Sequence, residues 1–410
     1  MKFYFPDSQD QIDPSFPFES EVRSPLRVRQ RDDRYAHEFL KPPPYEGLLV
    51  SKAMIDGNGG AGRYSAQQRQ RFFREGVREF FRLDQSAGPR IETLGDCGAF
   101  GYIDEPLPPY STDQVIDFYE QARFDAGVSV DHVIPVFDDD VDSSWKDRYT
   151  LTLGLAEEFL DRHRERDCRF EPVGVAQGWS AATYANAVGH LQKLGYERIA
   201  IGGLVPLKTD EILRVLAAID EIRHPHTKLH LFGVTRCEHV PRFKGHGVTS
   251  FDSTSPFRRA FKDGTDNYYV LDRAFVALRV PQVEGNAKLQ ARIGAGEIDQ
   301  GKARKLEQEA LAALRAFDRG KESLEKALEK LCDYQDLHDE GHARHEQYRE
   351  TLADAPWREC KCNVCSSAGI EVVLFRGSER NKRRGFHNLH VFAQRLAQEL
   401  QPQDTALAAA

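Results

Sequence analysis

Short apolar runs alternate with amphipathic stretches from Gly47 to Thr254, and the unit recurs about seven times. GLLVSKAMI (47–55) predicts a strand. SAQQRQRFFREGVREFFRL (65–83) predicts a helix with Phe72, Phe73, Val77, Phe80 and Phe81 on one face. PRIETLGDCGAFG (89–101) predicts a strand running into a glycine turn, followed by a helix over 112–124 capped by Thr112. VSVDHVIPV (128–136) and FEPVGVAQG (170–178) are further strands, each followed by a helix, over 151–166 and from Ser180. YERIAIGGL (196–204), a helix over 209–223, KLHLFGVT (228–235) and HGVTSFDST (246–254) complete the series. Strands this uniformly apolar belong to a parallel sheet covered on both faces. Polar and glycine residues recur at the ends of many successive strands, which favours a (β/α)8 TIM barrel; an open sheet would gather them near one switch point. The eighth strand is either YYVLDRA (268–274) or VVLFRG (372–377), and the pattern does not choose between them.

Around that core the pattern changes. Residues 1–45 are polar and proline-bearing and read as an irregular N-terminal arm, with the barrel and its active site over 46–282. From Glu284 to Glu350 there is no proline, and Ala, Leu, Glu, Lys, Gln and Arg dominate. Residues 283–350 therefore predict an insertion of two or three helices that packs on the barrel and steadies the region after it. Residues 351–400 read as a metal-binding subdomain that also closes the barrel, and 401–410 as a disordered tail.

Length and composition add limits. A chain of 410 residues with 40% hydrophobic and 10% aromatic residues can bury an enzyme-sized core. No apolar run reaches membrane-spanning length and the start lacks the order of a signal peptide, so a cytoplasmic protein is expected. Cys97, Cys168, Cys237 and Cys332 are scattered singly, as reduced thiols are. The net charge of −8 excludes a globally basic nucleic-acid binder. A local surface remains available: Arg376, Arg380, Lys382, Arg383 and Arg384 face the single acid Glu379, either as a phosphate-binding stretch or as a solvated charged face.

Two sets of residues carry candidate chemistry. Cys360, Cys362 and Cys365 in CKCNVC, with His387 or His390, make the three-thiolate, one-imidazole set that closes a tetrahedron round Zn2+ and leaves no open position, so the metal is structural. At predicted strand ends stand Asp96, Gln177, Gly202-Gly203 and Asp252, with Asp131 inside an otherwise apolar strand. A single such acid is as often a helix cap. Together they form an acidic, hydrogen-bonding pocket suited to a polar heterocycle, in which one carboxylate attacks while another moves a proton.

With these residues in view, the chain resembles the tRNA-guanine transglycosylase family, and most closely its DNA-acting branch, called DpdA. The resemblance runs from about Glu46 to Leu396 outside the helical insertion. It rests on Cys-x-Cys-x-x-Cys with His387-Asn388-Leu389, the Asp96 turn, Val175-Ala176-Gln177-Gly178, Ile201-Gly202-Gly203-Leu204 and Phe251-Asp252. It implies a TIM barrel with a zinc subdomain, and His387 as the fourth zinc ligand. It further implies Asp252 as the nucleophile on the anomeric carbon, Asp96 as the general acid/base, Asp131 on the donor edge of guanine, and Gln177, Gly203, Leu204 and Phe100 as further base contacts. Arg258, Arg259, Arg380, Lys382, Arg383 and Arg384 are the expected nucleic-acid contacts.

Departures from the family pattern narrow the expectation. Leu204-Val205-Pro206-Leu207-Lys208 puts lysine where aminomethyl-base enzymes carry a glutamate, so the neutral 7-cyano-7-deazaguanine, preQ0, is the expected incoming base. Cys97, Ala99 and the helical insertion favour the DNA-acting branch, which implies an ATPase-like partner, DpdB. Exchange in tRNA is the first alternative, and a non-catalytic, zinc-stabilised nucleic-acid-binding barrel the second.

Overall fold

The computed structural model describes residues 1–57, 64–85, 88–339 and 344–401, and the tail reading falls almost wholly outside them. Eight parallel strands form one closed barrel in chain order. They are β1 (Lys2–Pro6), β2 (Gly47–Ser51), β3 (Glu92–Asp96), β4 (Ala126–Val128), β5 (Glu171–Ala176), β6 (Arg198–Ile201), β7 (Lys228–Leu231) and β8 (Val248–Asp252). The chain divides into two compact units. One holds Met1–Gln9, Tyr45–Thr254 and the stretch from Leu396; the other holds Asp10–Pro44 and Ser255–Arg395.

The strand that closes the barrel corrects the sequence reading. Lys2–Pro6, expected within an irregular arm, pairs in parallel with β2 through Tyr4–Gly47 and with β8 through Tyr4–Asp252. Both predicted candidates fail. Tyr268–Tyr269 pairs with Ala274–Phe275 in a small antiparallel ribbon, and Leu374–Phe375 pairs with Leu278–Arg279. Five residues followed by a polar loop carry too little periodicity to announce a strand. Phe3, Tyr4 and Phe5 become core only when neighbours arrive from residues 47 and 250 onward.

Inside the barrel Tyr4, Leu49, Leu94, Ala126, Val128, Val173, Val175 and Ala200 pack as one core against Phe232. Glycine makes room where rings intrude. A Cβ on Gly47 would lie 2.2 Å from the Tyr4 ring, and one on Gly95 or Gly127 would lie 2.3 Å from the ring of Tyr119. At the amino ends of the strands Arg198 pairs with Glu92 at 2.6 Å and donates to the Tyr4 hydroxyl at 2.9 Å. That polar plug belongs to the end of such barrels that serves stability, which leaves the carboxyl ends for chemistry.

The helices begin where polar caps allow. Ser111, rather than Thr112, caps Thr112–Ala122 by accepting from the Gln114 amide, and Ser180 caps Ala181–Leu194 through Thr183. The helix expected over 151–166 runs Ser143–Glu165, started by the Asp142 cap. In the second unit the insertion has four helices among its described residues, Ala287–Gly294, Gln300–Asp318, Leu324–His338 and His345–Asp354. The carboxylate of Asp318 accepts from the Trp357 indole at 2.8 Å and the Ile370 amide at 3.0 Å, so the second helix clamps the segments flanking the cysteine motif.

Candidate active site and metal centre

β3 ends at Asp96, whose Oδ2 accepts the Ser51 hydroxyl at 2.8 Å and the Gly98 amide at 3.0 Å. Gly98 adopts φ 83°, and a Cβ there would stand 2.7 Å from the Ala53 side chain, so glycine lets the turn fold back onto the carboxylate. Crowding at the strand ends dominates the electrostatics. Burial raises the Asp96 pKa to about 6, opposed by the Ser51 hydrogen bond and reinforced by the charge of Asp252.

Asp131 lies three residues beyond the end of β4, in a buried run without regular secondary structure that was expected to be strand. The ladder stops because Ser129 turns its hydroxyl to the Val175 amide at 3.1 Å. Asp131 is 4% exposed, and its Oδ2 accepts from Gln177 Nε2 at 2.7 Å. Burial, then the charge of Asp96, pushes its pKa up to about 7. Gln177 lies against the glycine pair: a Cβ on Gly202 would be 2.1 Å from its Nε2. Gly203 adopts φ 71°, and a Cβ there would stand 2.6 Å from the Ile134 carbonyl oxygen and 2.9 Å from the Tyr184 hydroxyl. No side chain could replace either glycine without moving the amide. Leu204 is buried and Phe100 is half exposed beyond the Asp96 turn.

Asp252 ends β8. Its Oδ1 faces His230 Nε2 at 3.3 Å and accepts the Gly233 amide at 3.1 Å, so two N–H groups converge on one oxygen. Sequence reasoning passed over His230 and Ser250. His230 is fully buried on β7, with Nδ1 2.9 Å from the Ser250 hydroxyl and its ring edge-on to Tyr4 and Phe232. Burial lowers its pKa against the pull of Asp252, so the contact is a hydrogen bond from a neutral imidazole rather than an ion pair. With Nε2–H donating to Asp252, Nδ1 is left to accept from Ser250, which fixes the tautomer. The signal was a polar residue on an apolar strand, two positions before Phe232 and on the same face. His230→Leu is expected to lower the turnover of a reaction at Asp252 about 10–100-fold with KM nearly unchanged, as displacement of a reacting group does. The loss should not grow as pH rises above the ordinary imidazole range, because burial holds the His230 pKa below that range and the ring is already neutral there, and His230→Gln should recover part of it. An unchanged kcat would remove the positioning role.

The metal-binding set is assembled within the second unit. Cys360, Cys362, Cys365 and His387 bring their ligand atoms within 4.8 Å of one another. His387 Nδ1 lies 3.5, 3.6 and 3.2 Å from the three sulfurs, close to the roughly 3.6 Å edge of a Zn-centred tetrahedron. Its Nε2–H donates to the Tyr269 carbonyl at 2.7 Å, which leaves Nδ1 as the ligand. Tyr268 stacks on the imidazole at 4.0 Å and touches Cys365 Sγ at 3.2 Å through its hydroxyl. This donor set fits a structural Zn2+, and it selects His387 over His390. None of the other four cysteines is disulfide-bonded.

The basic run is corrected. Arg380, Arg383 and Arg384 are 1%, 3% and 0% exposed, so they cannot reach phosphate. Arg380 pairs with Glu371 at 2.6 Å and with Glu21, and Arg383 pairs with Glu379 at 2.7 Å. Arg384 donates to the carbonyls of Ala260 at 3.0 Å and Val372 at 3.1 Å. Lys382 turns to the Gln11 carbonyl at 3.3 Å. All four sit on the long helix Gly377–Glu399; Arg380, Lys382 and Arg383 tie residues 10–44 to it through Glu21, Gln11 and Asp13. Arg258 and Arg259, on Ser255–Lys262, are exposed.

Comparison with known proteins follows this geometry. Residues 108–399 match the family model described as queuine tRNA-ribosyltransferase. The chain is 47% identical over 408 residues to a DNA-guanine transglycosylase of Salmonella montevideo, covering 97% of this chain and 96% of that relative. Among the described residues no helix is long and apolar enough to cross a membrane.

Proposed function

This chain belongs to the tRNA-guanine transglycosylase (queuine tRNA-ribosyltransferase) family, and we propose from that premise that it exchanges guanine in DNA for preQ0. Membership makes it a base-exchanging pentosyltransferase. The DNA substrate is supported by the name of the 47% identical relative. The observation that carries the mechanism is the division of labour between two carboxyls, Asp252 faced by two N–H donors and Asp96 raised toward neutrality.

In this reading Asp252 attacks C1′ of a deoxyguanosine. The C1′–O bond forms as the C1′–N9 bond breaks, and the electron pair leaves on guanine, which takes the Asp96 proton. The incoming deazaguanine then gives its N9 proton to Asp96 and attacks C1′, expelling Asp252. Asp131 faces the donor edge of the base, and Gln177 and the Gly203 amide flank its carbonyl. Zinc supplies only the folded second unit. The segment after Gly203 carries no carboxylate to hold an ammonium, and Lys208 is exposed at the start of Thr209–Asp220. That supports a neutral incoming base. A base inside a duplex must be flipped out first, the step for which an ATPase-like partner of the DpdB kind is proposed. A cytoplasmic location, where single thiols stay reduced, accords with it.

Nucleoside mass spectrometry on DNA and tRNA from cells expressing the chain with its neighbouring genes tests the reading. PreQ0-type deoxynucleoside in DNA is the expected result. Modified tRNA alone would move the reaction to the other polymer, and equal use of an aminomethyl base in vitro would refute the preference for the cyano base.

A further inference from the structure

Residues 22–31 form a loop that is stapled yet unburied. Arg27 holds Asp33 through two hydrogen bonds at 2.8 and 2.7 Å, the Val28 amide donates to Asp32 at 2.8 Å and the Gln30 amide to Asp33 at 2.9 Å. The backbone closes two turns, Arg27 to Ser24 at 3.1 Å and Asp32 to Val28 at 3.0 Å. A loop fixed this thoroughly usually hides its apolar side chains. This one presents them: Leu26 is 86% exposed, Val22 69% and Val28 47%. Arginines interleave with them along the chain. Arg29 is exposed, and Arg23 and Arg31 keep 43% and 66% of their side chains in solvent while each holds one acid. Residues 22–34 carry five arginines against two aspartates, within a chain of net charge −8.

We propose that this loop is a duplex-binding wedge, in which the arginines hold backbone phosphates while Leu26, with Val22 and Val28, presses between base pairs and unstacks them. Apolar wedges flanked by cations are how proteins kink and open the minor groove. Charge complementarity selects nucleic acid as the occupant, since an apolar protein partner would not need the interleaved arginines. The inference rests on the DNA reading above and gives this chain a part of its own in reaching a stacked base, beside the partner proposed there.

The test uses the full-length, zinc-loaded protein, a DNA duplex carrying 2-aminopurine and the same strand alone. Leu26→Asp is expected to abolish the fluorescence rise on binding duplex and to lower exchange in duplex about tenfold or more, while exchange in the single strand stays within about twofold. Arg29→Glu is expected to weaken binding to both and to flatten the salt dependence. Because Leu26 is almost wholly exposed, an unchanged melting temperature will show that folding is intact. Equal behaviour of Leu26→Asp and parent on duplex overturns the wedge, as does an equal loss on both substrates. The 2-aminopurine signal reads the loop without chemistry, so a parent that opens duplex but exchanges nothing refutes the DNA-exchange reading and spares the wedge.

Discussion

Asp252→Asn is expected to lower base exchange about 10⁴-fold or more, with folding intact, because in the proposed mechanism the carboxylate forms an ester to C1′, which an amide cannot. The side chain keeps its shape and still offers an oxygen to His230 Nε2–H and the Gly233 amide, so the strand end should not rearrange. Intact-protein mass spectrometry after acid quench in the presence of DNA gives the direct readout. The parent should show a fraction of chain carrying a DNA adduct, and the variant none, with melting temperatures alike. An adduct forming on the variant at the parental rate would transfer the nucleophile's role to another group. Asp96→Asn is the informative partner: it keeps Asp252 and removes the proton carrier, so it should slow adduct formation without preventing it.

Loss of the metal is expected to have the largest effect on stability. Cys362 is buried, its sulfur 3.6 Å from His387 Nδ1 and accepting the Cys365 amide at 3.4 Å, so serine in its place breaks both the ligand set and the turn. Structural zinc contributes its binding free energy directly to folding. Cys362→Ser should therefore purify with less than one equivalent of zinc and melt lower by about 10 °C or more, or fail to accumulate as folded chain. Cys332→Ser, outside the cluster, is the control and should change neither quantity. The four ligands belong to the second unit and the acids proposed to react, Asp96 and Asp252, to the first, so exchange by the chain that remains folded should fall far less than stability does. Parent protein of normal stability and free of zinc would defeat the assignment.

The pattern of residues determined a good deal unaided. Recurrent strand–helix units with polar strand ends specify a parallel barrel, since the period of side-chain burial is a local property. Cysteine spacing specifies a tetrahedral metal, since the ligands lie within one short segment and one histidine. Asp96, Gln177, Gly203 and Asp252 were legible for the same reason: each terminates an apolar run. What only the tertiary structure decided are matters of partners far apart in sequence. Lys2–Pro6 is a barrel strand because residues 47 and 250 flank it. His230 matters because folding sets it beside Asp252, 22 residues on. Arg380, Arg383 and Arg384 read as a surface for phosphate, yet burial against Glu21, Glu379 and main-chain carbonyls from distant segments made them part of the core. Likewise the fixed, outward-facing Leu26 looked like ordinary loop composition. Periodicity states which face a residue occupies within its own element; what lies across from that face is settled only when the chain closes on itself.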